Sequence, residues 1–162
     1  MSRGIPSLAL TCSLMLVVLV AVEGRSKRMI FPGTKWCGAG ARAESDDDLG
    51  RSLETDRCCR AHDRCPDSII KHSTRHGLVN RGRYTLSHCD CDEEFLKCLK
   101  NAKSRSAALV GYAYFTVWNP RCFKKDFPAV CKKYSLTGRR CLEIEKDTSK
   151  PWEWQWFSNA AW

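Results

Sequence analysis

The chain has 162 residues, 43% apolar and 28% charged, enough for one compact domain and too few for two of ordinary size. Its 27 Lys and Arg against 18 Asp and Glu give a net charge of +9, a balance that suits anionic partners. Eleven cysteines at this length exclude an ordinary cytosolic protein and point to disulfides or a metal.

The first residues favour disulfides. Arg3 is a basic start, Leu14 to Val22 is an unbroken apolar run, and Val22-Glu23-Gly24 places small residues where a signal peptidase cuts. Residues 1–24 are therefore expected to be a secretory signal peptide. Counted from Leu8 to Val22 the apolar segment has 15 residues, short of the roughly 20 a spanning helix needs, and no other segment is long and apolar enough. Arg25-Ser26-Lys27-Arg28 resembles the sites of furin-like convertases, so 25–28 reads as a propeptide and Met29 as the mature start. The remaining 29–162 carries ten cysteines, the arithmetic of five disulfides rather than zinc, and a net charge of +6. A secreted basic body is suited to phospholipid headgroups, heparin-like glycans or acidic receptors; nucleic acid is not expected.

Residues 29–50 hold Pro32-Gly33, Gly38-Ala39-Gly40 and the acidic run Glu44, Asp46, Asp47 and Asp48, without period, and predict a loop. Thr55 or Asp56 then offers a cap for a helix over 55–71, against which Pro66 argues as an interruption. Residues 72–88 are polar, broken by Gly77 and Gly82, and read as a connection, with His72, His76 and His88 expected at its surface without chemical partners. A second helix opens at Ser87 or Asp90, since Cys91, Phe95, Cys98 and Leu99 recur at helical spacing; Lys97, Lys100, Lys103 and Arg105 form a basic, solvated face. Ser104 to Val117 predicts a third, more apolar helix with Tyr112 and Tyr114, packed across the other two. After Asn119-Pro120 the pattern turns β-like: Cys131 and Cys141 flank a Thr137-Gly138 turn and predict a disulfide-tied hairpin. The tail from Pro151 carries Trp152, Trp154, Trp156 and Trp162, which suit either a membrane interface or packing on the domain. The fold class is mainly α: a disulfide-stapled antiparallel helix pair, a third helix, an N-terminal glycine loop and a small C-terminal β-hairpin.

Three strings carry chemistry. In Cys58-Cys59-Arg60-Ala61-His62-Asp63-Arg64-Cys65, a helix points His62 and Asp63 about 100° apart, so they serve adjacent tasks: general base beside metal ligand is the natural division. In Cys89-Asp90-Cys91-Asp92, half-cystines at Cys65 and Cys91 would clamp the helices antiparallel and bring Asp92 to His62. A carboxylate on one imidazole nitrogen leaves the other free to take a proton from water. In Trp36-Cys37-Gly38-Ala39-Gly40, glycines permit a loop whose carbonyls turn inward toward a hard cation such as calcium.

These strings, with His76-Gly77-Leu78 and Gln155-Trp156-Phe157, resemble the secreted phospholipases A2 of the bee-venom type, also called group III, over essentially all of 29–162. The resemblance implies a calcium-dependent enzyme that hydrolyses the sn-2 ester of glycerophospholipids. It implies His62 as catalytic base, Asp92 as its orienting carboxylate, Tyr114 in support, and Ca2+ held by Asp63 and the carbonyls of Trp36, Gly38 and Gly40. It implies the pairs Cys37–Cys59, Cys58–Cys98, Cys65–Cys91, Cys89–Cys122 and Cys131–Cys141, which spacing alone leaves among on the order of a thousand possibilities. A monomer acting peripherally on phospholipid membranes is expected. The alternative is a receptor- or channel-binding toxin on the same scaffold, with incidental hydrolysis. No Asn-x-Ser/Thr sequon occurs in 29–162, and the tail is richer in tryptophan than the resemblance leads one to expect.

Overall fold

A computed structural model describes residues 29–139 and 141–162; the expected signal peptide and propeptide lie outside the described residues. The elements run α1 (Leu53–Asp63), β1 (Ser68–Ile69), β2 (Thr74–Arg75), β3 (Leu78–Val79), β4 (Leu86–Ser87), α2 (Cys89–Ala102) and α3 (Arg105–Tyr112). A π-helical turn (Ala113–Trp118) continues α3, then come β5 (Arg121–Asp126), β6 (Ala129–Tyr134), β7 (Cys141–Lys146) and β8 (Glu153–Ser158). The strands form antiparallel pairs only: β1 with β4, β2 with β3, β5 with β8, β6 with β7. None of the helices in the described residues is long and apolar enough to cross a membrane.

The first helix starts earlier and stops sooner than its sequence suggests. Ser52 holds the N-cap position, while Thr55 and Asp56 are buried within the first turn instead of capping it. The helix ends at Asp63 because Pro66 has no N–H to give and pushes Cys65 away from helical dihedrals. Helix α2 is capped by His88, whose Nδ1 accepts the Asp90 N–H at 3.2 Å. Helix α3 is capped by Ser104, whose Oγ accepts the Ala107 N–H at 3.1 Å. His88 also meets Phe123 edge-on, and His76 hydrogen-bonds Asp67 and stacks on Trp154 with centroids 3.9 Å apart. Both histidines thus have partners, contrary to expectation, because strands distant in sequence bring Phe123 and Trp154 to them.

The core lies where the three helices meet: Phe95, Leu96 and Leu99 of α2 pack with Ala107 and Val110 of α3, Phe115 of the π turn, and Cys37, Cys58 and Cys59. Burying each large apolar side chain contributes about 1.5–3 kcal/mol. Thr55 Oγ1 shares hydrogen bonds with Ser104 Oγ at 3.0 Å and Ser106 Oγ at 2.8 Å, fastening α1 to α3.

Five disulfides join Cys37–Cys59, Cys58–Cys98, Cys65–Cys91, Cys89–Cys122 and Cys131–Cys141, the pairs the resemblance implies. The last closes the β6–β7 hairpin. The tail joins the domain as β8, with Phe123 opposite Trp156 and Cys122 opposite Phe157. Farther on, the Trp162 ring lies so close to Gly111 of α3 that a Cβ there would collide with it. Of the four tail tryptophans only Trp152 is exposed, so the tail is part of the fold rather than a free appendage.

Candidate active site

Two disulfides set the register of the first two helices. Cys58 and Cys65 stand seven residues apart, as do Cys91 and Cys98, and they pair in opposite order, Cys58 with Cys98 and Cys65 with Cys91. The helices are therefore antiparallel, with His62 near one rung and Asp92 beside the same one. His62 Nε2 lies 2.6 Å from Asp92 Oδ1.

Asp92 is 1% exposed, and a carboxylate buried to that degree needs a donor for each oxygen. Its place in the first turn of α2 also favours negative charge. The Tyr114 hydroxyl donates to Oδ1 at 3.0 Å, and Asn159 Nδ2 donates to Oδ2 at 2.5 Å. Burial, and then the Asp92 charge, raise the Tyr114 pKa well above its ordinary 10.0, so the phenol stays a donor. The His62 ring stacks on Phe95 with centroids 4.5 Å apart and meets Tyr114 edge-on at 5.3 Å. With Nε2 committed to Asp92, Nδ1 takes no hydrogen bond among the described residues. Asn159 is absent from the sequence reading: nothing local marks it, and only the β5–β8 pairing carries it to Asp92.

The glycine loop is fastened to α1 by a second buried carboxylate. Asp56, fully buried, accepts the backbone N–H groups of Lys35 at 2.9 Å, Trp36 at 2.8 Å and Gly50 at 2.8 Å. The Cys37–Cys59 disulfide adds a covalent tie. Gly38 is required where it stands, since a Cβ would collide with the Met29 carbonyl oxygen. The Arg64 guanidinium lies 5.7 Å from the Trp36 ring, which brings the C-terminal end of α1 to the loop.

The Cys37 carbonyl accepts from Phe31 N–H, whereas those of Trp36, Gly38 and Gly40 accept from no N–H among the described residues. Asp63 is open to solvent on one side, yet the protein packed around its carboxylate disfavours the charged form. Its pKa rises to about 6 by desolvation, opposed by His62 and reinforced by Asp56. No salt bridge to Asp63 is present among the described residues. A carboxylate without a cationic partner and a loop of uncommitted carbonyls are ligand types that suit a hard divalent cation such as calcium. Among the described residues no three His, Cys, Asp or Glu side chains gather into a metal cluster, so carbonyls would supply most of the ligands.

A cleft of about 420 Å³ between α1 and α2 is lined by His62, Arg64, Cys65, Glu94 and Phe95 with their neighbours. Neither Asp63 nor the glycine loop lines it.

Comparison with known proteins finds relatives over most of the chain. A family model described as Phospholipase A2 matches residues 30–126. A Phospholipase A2 of Bombus pensylvanicus is 50% identical over 131 residues, 80% of this chain and 96% of that protein. One of Apis mellifera is 43% identical over 133 residues, 81% of this chain and 78% of that protein. The Acidic phospholipase A2 PA4 of Heloderma suspectum is 50% identical over 116 residues, 72% of this chain and 81% of that protein.

Proposed function

Since the chain belongs to the phospholipase A2 family, in its bee-venom type, and is a phospholipase A2, we propose that it cleaves the sn-2 ester of glycerophospholipids with a water molecule activated by His62. The observation that carries this reading is the division of labour on the imidazole: Nε2 faces Asp92 at 2.6 Å, and Nδ1 is left for water. A neutral ring with its proton on Nε2 donates to Asp92 and accepts the proton of water at Nδ1. The imidazolium formed is stabilised by the Asp92 carboxylate, which Tyr114 and Asn159 hold in place. As the tetrahedral adduct collapses, the same ring returns its proton to the leaving oxygen. Water is the nucleophile, and no acyl-enzyme forms.

Asp63 and the carbonyls of Trp36, Gly38 and Gly40 are the groups that would hold calcium. When bound, calcium supplies positive charge for the developing oxyanion and the substrate phosphate. The Gly38 N–H, which donates to no acceptor among the described residues, adds a donor for the oxyanion.

Secretion completes the proposal, with residues 1–24 as signal peptide, 25–28 as propeptide and 29–162 as a monomeric enzyme working peripherally on phospholipid surfaces. The receptor- or channel-binding alternative is not favoured, because His62, Asp63, Asp92 and the loop glycines are all retained. Fatty-acid release from phosphatidylcholine vesicles labelled at one acyl position or the other tests the reading. Only the sn-2 chain should appear, and excess chelator should stop it. Release of the sn-1 chain overturns the regiochemistry, and full release in chelator overturns the metal.

A further inference from the structure

The catalytic carboxylate is held by a residue from the opposite end of the chain, and we propose that Asn159 is a positioning residue for the Asp92–His62 pair. The two oxygens of Asp92 are unequally served. Oδ1 receives both His62 and Tyr114, whereas among the described residues Oδ2 has Asn159 alone, at 2.5 Å. An oxygen on a side chain 1% exposed is shut off from bulk solvent, so losing its donor is costly. Without the amide, the carboxylate gains by turning about its Cβ–Cγ bond until Oδ2 finds a donor, and that turn moves Oδ1 away from the imidazole. The amide therefore fixes the rotation that aims Oδ1 at His62.

Asn159 is itself held firmly enough to do this. Its Nδ2 also donates to the Pro120 carbonyl at 3.0 Å. The preceding strand β8 is locked in register with β5, Ser158 facing Arg121, and β5 is tied to the first residue of α2 by Cys89–Cys122. Three residues beyond, Trp162 packs on Gly111 of α3. Asn159 is thus anchored on both sides, and its strand is covalently tied to the helix that bears Asp92. The tail sets the orientation of the catalytic pair through one amide group.

The proposal rests on the catalytic reading of His62 and Asp92, and its test separates the two. Asn159→Leu keeps a side chain of four heavy atoms branched at Cγ and removes the donor. With vesicle substrate and saturating calcium, kcat should fall about ten-fold while KM stays within about two-fold, as expected of a group that acts through Asp92. In an Asp92→Ala background the same substitution should change the residual kcat by less than about two-fold, because the oxygen it serves is gone. Asn159→Ala, which also lacks a donor, replaces the leucine variant if that fails to fold; it should lose kcat to a similar extent with five disulfides intact. An unchanged kcat in either folded variant overturns the proposal. So does an equal loss in the Asp92→Ala background, which would mean that Asn159 only fastens the tail to Pro120. An activity-independent readout is the Asn159 side-chain amide resonance, which should move on Asp92→Ala. If the wild type hydrolyses nothing while that resonance still moves, the catalytic reading fails and the contact stands; if hydrolysis proceeds and the resonance does not move, the proposal fails alone.

Discussion

The carboxylate of Asp56 receives the backbone N–H of Trp36 at 2.8 Å, and with Lys35 and Gly50 it gathers three amides into one buried anion-centred knot. Charge-assisted bonds of this kind contribute about 1.5–3 kcal/mol each, and their donors have no other acceptor once the carboxylate is gone. Asp56→Ala should lower stability by at least about 3 kcal/mol in urea unfolding. At temperatures where it remains folded, calorimetric titration should show weaker calcium binding. Unchanged affinity would mean that the loop carbonyls are arranged without this knot.

His62→Gln keeps a hydrogen bond toward Asp92 and removes the proton acceptor. Loss of general-base help costs about 10²–10⁴-fold. Initial rates on vesicles should fall at least about a hundred-fold, with calcium binding and melting temperature close to those of the parent. A variant retaining more than a tenth of the rate would show that another group activates water.

Tyr114 gives a test of pH dependence with a definite sign. Its pKa stands well above the ordinary 10.0, first by burial and then by the Asp92 charge. The folded state therefore keeps a proton that the unfolded chain loses above about pH 10. The unfolded state binds fewer protons there, so stability contributed by the phenol is full below that pH and declines as pH rises through it. Comparing unfolding free energies of the parent and Tyr114→Phe from pH 8 to 11 should show the parent's advantage shrinking above about pH 10. Their difference absorbance near 295 nm should stay flat until unfolding. A phenolate signal from folded Tyr114 at pH 10 would contradict the buried hydrogen bond to Asp92.

The disulfides should differ sharply in consequence. Cys131–Cys141 closes an exposed hairpin with a sequence separation of 10. Replacing both with alanine should leave hydrolysis within about two-fold while the hairpin becomes sensitive to protease. Replacing Cys65 and Cys91 should cost about 2–4 kcal/mol and most of the activity, because that bridge stands beside His62 and Asp92. Equal rates for the two double variants would sever the link between clamp and catalysis.

Processing at Arg28 should leave a chain that begins at Met29, as read by intact mass. The Met29 carbonyl accepts the Ala39 N–H at 3.3 Å, so a cut before Met29 keeps this tie to the glycine loop. A mature chain starting at Arg25 would mark the basic stretch as an uncut linker.

What the sequence reveals here follows the range of the interaction that determines it. The period of Cys91, Phe95, Cys98 and Leu99 marks α2 because helical contacts are local, and Thr137-Gly138 between Cys131 and Cys141 marks the hairpin for the same reason. Asp56 reads as a helix cap because acidic residues near helix starts usually cap; its actual task depends on amides about twenty residues away. The β5–β8 pairing escapes notice because nothing in Arg121–Asp126 names Glu153–Ser158 as its partner. His76 and His88 acquire their aromatic neighbours Trp154 and Phe123, and Asn159 reaches Asp92, through those strands, so these contacts are illegible with the pairing. The π-helical turn that presents Tyr114 reads as ordinary helix, since its residues favour either spiral.

The paired rungs Cys58–Cys98 and Cys65–Cys91 also bear on the cell that makes the enzyme. In the glutathione-reduced cytosol thiols are not kept joined, and a chain without these rungs has nothing covalent to hold His62 against Asp92. On that account assembly of the His62–Asp92 pair would depend on passage through an oxidising compartment, as the proposed secretion provides.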